Sequence, residues 1–170
     1  NLGMPYKKQG IADVVADESR GLIYVVTCED QHWMLYDTAT KKFTELGPML
    51  TPYATTLMDG DGKAHALTKD FQLATYDPAT KKVTQRPIEI GDKTFTRESR
   101  SSIPTWNLDA DGRTAWLILM NDAHLLSIDL SSKGKKVKGT NHGLMLKGEK
   151  PDSRSALTIA PDGRIYTLIS

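Results

Sequence analysis

The heptapeptide Tyr36–Lys42, YDTATKK, returns as YDPATKK at Tyr76–Lys82, 40 residues later and with six of seven positions kept. The match extends upstream: GLIYVVTCEDQHWMLYD (Gly21–Asp37) lines up with GKAHALTKDFQLATYD (Gly62–Asp77). GRTAWLILMNDAHLLSID (Gly112–Asp129) keeps the same frame, and GRIYTLIS (Gly163–Ser170) opens a further unit. The glycines at the head of these units lie 41, 50 and 51 residues apart. A chain that repeats itself at this spacing must build one supersecondary unit several times over and stack the copies.

Each unit reads as strand after strand. Val and Ile crowd Ile11–Ala16 and Leu22–Thr27, as β-branched packing on a pleated surface favours. A polar turn, Cys28–Gln31, leads to His32–Asp37, and the repeated phrase then turns the chain into Phe43–Gly47. In Asp77-Pro78-Ala79-Thr80 the aspartate bonds its own backbone and the proline presets φ, which is a type I turn. No stretch sustains a 3.6-residue apolar period, so very little helix is expected. Four antiparallel strands per unit of this length predict an all-β fold, a β-propeller with about three complete four-stranded blades plus half of a fourth. An aligned β-sandwich would not need Gly, Tyr-Asp and Thr-Lys at fixed offsets. The blades are expected at 11–50, 51–100 and 101–150, with 1–10 closing a preceding blade and 151–170 opening another. Closed propellers take 4–8 blades, so the expectation is a segment of a larger propeller, with arcs assembling into a ring as the alternative.

Composition excludes some functions and selects none. Net charge is +1 and charged residues make up 25%, so no global field draws the chain to nucleic acid or an anionic membrane. No apolar run approaches the ~18–20 residues that cross a bilayer, so no membrane insertion is expected. Cys28, the single cysteine, is expected to be buried packing, and haem attachment through Cys-x-x-Cys-His is absent, so no cofactor is expected. DGDG (Asp59–Gly62) and DADG (Asp109–Gly112) lack the glutamate a calcium loop needs six residues on, having Thr68 and Ile118 there. They read as Asp-Gly turns between first and second strands, and no metal site is expected. His32 and His124 share a repeat position, filled by Gln72 in the second unit, and His65 aligns with Tyr24 and Tyr166 as a blade-packing residue. The lysines of Ser131–Gly139 lack the aromatic neighbours of a nucleic-acid platform and read as a solvated loop.

YDPATKK, DADGRTAW (Asp109–Trp116) and APDGRIYTL (Ala160–Leu168) resemble the blade repeats of bacterial propellers of the streptogramin-lyase-like, quinoprotein-amine-dehydrogenase-like and gluconolactonase-like group. The Trp-Asp ending of WD repeats and the Gly-Gly doublet of kelch repeats are both missing. The resemblance implies a binding domain, a lyase or a lactonase, periplasmic or secreted, and leaves open whether the chain is an enzyme.

In an up-and-down blade, the loops joining strands two to three and those joining successive blades share one rim. The long connections Ile90–Ser102 and Gly139–Arg154 are therefore where ligand-binding residues are expected. The candidates are Tyr53, Arg97, Arg100, His142 and Arg154. Arg154 directly precedes a first strand, so it is expected at the channel mouth, where a guanidinium holds a carboxylate through two parallel hydrogen bonds. Two readings follow: a ligand-binding or assembly segment, or a lyase or hydrolase acting on an acidic carbohydrate or lactone. The expected partners are remaining blades or another chain, together with an anionic small molecule or carbohydrate. The repeated phrase itself is structural, so Asp77→Ala should lower stability by roughly 0.5–2 kcal/mol in denaturant titrations and leave ligand affinity unchanged.

Overall fold

The computed structural model describes residues 3–91, 93–94, 104–119, 124–145 and 155–169. Every regular element among them is a strand, and they form two compact units. The first comprises Asn1–Met58 and Gly62–Gln85, the second Asp59–Asp61 and Arg86–Ser170.

In the first unit, β1 (Ile11–Asp17), β2 (Leu22–Thr27), β3 (Trp33–Asp37) and β4 (Lys42–Gly47) form one antiparallel four-stranded sheet in chain order. β5 (Leu57–Met58), β6 (Ala64–Leu67) and β7 (Gln72–Asp77) begin a second blade, whose fourth strand β8 (Lys82–Ile90) passes into the second unit. The core lies where these two sheets face each other. Tyr24, Val26, Trp33 and Leu35 of the first sheet cluster with Ala64, Ala66, Ala74 and Tyr76 of the second. Small alanines opposite large rings let the sheets approach closely. The Tyr24 and Tyr76 rings meet edge to face, with centroids 6.1 Å apart and planes at 66°. Trp33 is fully buried, and its indole N–H donates to Thr56 Oγ1 over 3.2 Å.

In the second unit, β10 (Pro104–Leu108), β11 (Thr114–Leu119), β12 (His124–Asp129) and β13 (Val137–Leu144) repeat the four-stranded order. β14 (Ser155–Ile159) and β15 (Ile165–Ile169) form an antiparallel pair, β14 packing beside β10. Leu117, Ile118, Leu126 and Ile128 are buried here. The hairpin tip Asp59–Asp61 joins this unit through Gly60 N–H, which donates to Gly112 O over 2.7 Å. Gly112 has φ +67°, and a Cβ there would lie 3.0 Å from Gly60 Cα, so the approach requires glycine.

The longer units spend part of their extra residues on strands. β8 has nine residues and β13 eight, against six in β4, and β9 (Lys93–Thr94) folds back onto the end of β8. The extension lets β13 pair in parallel with β8, Val137 opposite Ile88 and Gly139 opposite Ile90. Lys136 Nζ is 2.6 Å from Glu89 Oε1, and Arg86 donates to Ser132 O over 2.5 Å beside this seam. Pairing two outer strands satisfies backbone groups that an open edge would leave to other chains.

Tyr24, Trp33, Leu35, Leu73 and Leu126 are buried. Trp116 and Leu125 are half-buried, and Tyr166 is 53% exposed on β15, in the two-stranded sheet. Cys28 is exposed, not buried: β2 ends at Thr27, and the thiol falls in the turn beyond the last inward-facing residue. The Tyr24 hydroxyl is buried without a hydrogen-bond partner among the described residues, and burial, with the Asp17 and Tyr76 charges, raises its pKa. Tyr24→Phe should therefore leave stability unchanged or raise it by about 1 kcal/mol. Trp33→Ala should lower it by ~3–5 kcal/mol, since it empties a ring-sized volume and orphans Thr56. Paired chemical-denaturation curves measure both, and a destabilised Tyr24→Phe would show that the hydroxyl has a partner.

Candidate functional site

The repeat places a β-bulge at the same point in two blades. Between β3 and β4 the register slips where Trp33 and Met34 face Gly47 and Glu45. Between β12 and β13 it slips where His124 and Leu126 face Leu144 and Asn141. Gly47 and Gly143, at φ +98° and +93°, close the two bulges. A bulge re-aims the side chains around it. Here it brings each repeat-equivalent histidine onto its own fourth strand: His32 Nδ1 lies 2.6 Å from Glu45 Oε1, and His124 Nδ1 lies 3.0 Å from Asn141 Oδ1.

His32 has a second partner. The Tyr6 ring stacks on it with centroids 3.7 Å apart and planes at 16°. A carboxylate only accepts, so the His32 Nδ1–H donates to Glu45, which fixes the ring edge while Tyr6 fixes its plane. The surrounding segments are hydrogen-bonded into one rim. Cys28 N–H donates to Gly10 O over 3.0 Å, and Leu50 N–H to Gln31 O over 3.1 Å. Lys69 N–H donates to Met49 O over 3.0 Å. The Gln9 side chain brackets Asp30, donating from Nε2 to Oδ2 over 2.5 Å. In this unit the β2–β3 turn and the connections between blades thus share one end, as the sequence led us to expect.

On that rim Tyr53 is 72% exposed, in the connection from β4 to β5. His142 belongs to the second unit. The segment read as a connection is strand as far as Leu144, because β13 continues through the bulge, and this puts His142 on the blade face. There its Nε2 is 2.9 Å from Ser127 Oγ, and its ring packs on Trp116 with centroids 4.8 Å apart. Trp116 Nε1 donates to Asp109 Oδ2 over 2.9 Å. Arg97, Arg100 and Arg154 lie outside the described residues. Of the five candidates, the described residues therefore include Tyr53 and His142, and the group the structure brings together on the rim of the first unit is Tyr6, His32 and Glu45. Sequence reading placed His32 on a rim but missed its two partners. The bulge that aims Glu45 at it carries no signal beyond Gly47.

Neither a protein-family model nor a curated protein matches the chain. Solved structures do. Virginiamycin B lyase from Staphylococcus aureus superposes with a TM-score of 0.62 at 17% identity, over 93% of this chain and 48% of that one. The periplasmic gluconolactonase PpgL of Pseudomonas aeruginosa gives 0.61 at 15% identity, over 92% and 49%. A luciferin-regenerating enzyme gives 0.56 at 19% identity, over 91% and 52%. The fold is a β-propeller, similar to that of these proteins. The chain spans about half the length of these three structures.

The end of the blades opposite the candidate site is structural. In the first unit, Asp37 Oδ1 accepts from Ala39 N–H and Thr40 N–H at 2.8 and 3.0 Å, and Asp77 Oδ1 accepts from Ala79 N–H at 2.9 Å. Lys41 and Lys81 then take φ +57° and +56° to enter the fourth strand. Asp17, nearly inaccessible, accepts from Ser19 and from Arg20, whose guanidinium packs over Gly62. In the second unit, Asp111 accepts from Arg113 N–H and Thr114 N–H at 2.8 and 2.9 Å.

All three shifted carboxyls sit below the usual carboxylate range. For Asp37 the Thr40 N–H is the main cause. Burial pushes Asp17 and Asp111 upward, but the hydrogen bonds outweigh it, from Ser19 and Arg20 in one and from Arg113 and Thr114 in the other. A carboxyl depressed on folding stabilises the native state above its unfolded value, and that contribution disappears as pH falls through the folded value. Stability should hold from neutral pH down to the ordinary value of 3.8 and drop below it, less steeply in Asp17→Asn. Guanidinium midpoints measured against pH check this, and a drop already complete above pH ~5 would assign acid sensitivity to other groups.

Proposed function

We propose that the chain is a ligand-binding or assembly segment of a larger, extracytoplasmic β-propeller protein, and that its ligand sits on the rim carrying Tyr6, His32 and Glu45. One observation carries the reading. At the end of the blades where loops are free to vary, a histidine is held in plane by a stacked tyrosine and in azimuth by a 2.6 Å carboxylate contact. A binding site needs this kind of preorganised polar-aromatic group, because side chains already ordered lose little further freedom when the ligand docks. Placement outside the cytoplasm rests on the P. aeruginosa gluconolactonase, which is named as periplasmic.

A second reading, a lyase or hydrolase of acidic carbohydrates or lactones, is favoured by the names of two structural neighbours, a lyase and a lactonase. In it Arg97, Arg100 and Arg154 would neutralise a substrate carboxylate while histidine or tyrosine moves a proton. Rising ultraviolet absorbance on uronate polysaccharides, where elimination creates a conjugated product, would select this reading.

For the binding reading, a thermal-shift panel of neutral, acidic and cationic small molecules identifies binders. His32→Ala should abolish the shift and Glu45→Gln should reduce it, while both variants keep the far-ultraviolet spectrum of the parent. A binder whose shift survives His32→Ala would remove the ligand from this rim.

A further inference from the structure

We infer that Tyr53 is a ligand-contact residue held in its turn against backbone preference, and that the ligand it meets is a neutral, hydroxyl-rich ring compound, a saccharide. The inference rests on the rim reading above.

The turn runs from Thr51 to Ala54, closed by Ala54 N–H donating to Thr51 O over 3.1 Å. Pro52 occupies its second position and Tyr53 its third, with φ +55°. A turn with a positive φ at the third position calls for glycine or asparagine, because a Cβ crowds the neighbouring carbonyl. The chain-start turn repeats the device: Gln9 N–H donates to Tyr6 O over 3.4 Å and Lys8 takes φ +62°. Among the described residues, Tyr53 and Phe71 are the aromatic residues with positive φ. Phe71 is buried, so packing offsets its conformation, whereas Tyr53 is 72% exposed. No hydrogen bond or ring contact engages Tyr53 among the described residues. Its neighbours Leu50, Thr51 and Ala54 are buried, which anchors the turn and leaves the phenol projecting. An unfavourable backbone conformation at a residue whose own side chain packs on nothing points to function.

The chemistry of the rim selects the ligand class. Its segments carry Lys7, Lys8 and Lys69 against Glu29, Asp30, Glu45 and Asp70, three charges against four. So even a balance gives no field that selects an anion or a cation. What the rim offers is the rings of Tyr6, His32 and Tyr53 and the carboxylates of Glu29, Asp30, Glu45 and Asp70. A pyranose presents an apolar C–H face to a ring and hydroxyl donors to carboxylates.

The test uses the full chain and chitotriose, maltotriose, trigalacturonate and choline as probes, read by titration calorimetry and melting temperature. Tyr53→Gly should melt a few degrees higher than the parent, and it should bind the neutral trisaccharide at least roughly tenfold more weakly. Tyr53→Trp should keep binding within about threefold. A lower melting temperature for Tyr53→Gly overturns the backbone argument, and unchanged binding overturns the contact. Binding of trigalacturonate or choline alone, or of no probe, overturns the ligand class. His32→Ala separates the two readings: neutral-sugar binding that survives it but fails in Tyr53→Gly sinks the His32 site and leaves Tyr53 standing.

Discussion

The face-to-face contact of two β-sheets governs the rest of this protein. A single four-stranded blade has two broad faces and cannot bury either by itself. Tyr24 and Trp33 are fully inaccessible only because Ala64, Ala66 and Ala74 bring the next sheet close. At ~25 cal/mol per Å² of apolar surface removed from water, two such aromatics contribute several kcal/mol, more than any turn or ion pair in the unit. The hydrogen-bonded turns then fix register within each blade, and the loops at the opposite end are left to carry the Tyr6–His32–Glu45 group.

The two ends of the blades divide the work. At one end, Asp37 and Asp111 accept backbone N–H groups in their turns, and these hydrogen bonds lower their pKa values. At the other end, the polar side chains meet each other: His32 with Tyr6 and Glu45, Gln9 with Asp30. A side-chain contact such as His32–Glu45 can change without breaking the fold, which is what a site for recognition requires.

The blades also differ at one shared position. The second-strand residue opposite the position two before the closing aspartate is Tyr24, His65 or Trp116, facing Leu35, Thr75 or Ser127. In the first blade the pair is apolar. In the second, His65 and Thr75 are both buried, with Nδ1 and Oγ1 3.0 Å apart. In the third, Ser127 is met by His142 from the bulge. The Thr75 and Ser127 hydroxyls each find a histidine partner, the second blade supplying it from β6 and the third from β13.

The sequence by itself determined the blades. Local rules suffice for them: Asp and Pro set the turns, Gly takes positive φ, and β-branched runs make strands, all at offsets the repeat displays openly. It also placed His32 on a rim, because a strand-end position is a local property. Tertiary structure alone decided which side chains meet. The bulges that aim Glu45 at His32 and carry His142 onto a blade face depend on how two strands slip past each other. So do the parallel seam of β8 and β13 and the exposure of Cys28 just past the end of β2. Register and facing are pairwise properties of segments far apart in the chain, and a pattern read along one strand does not contain them.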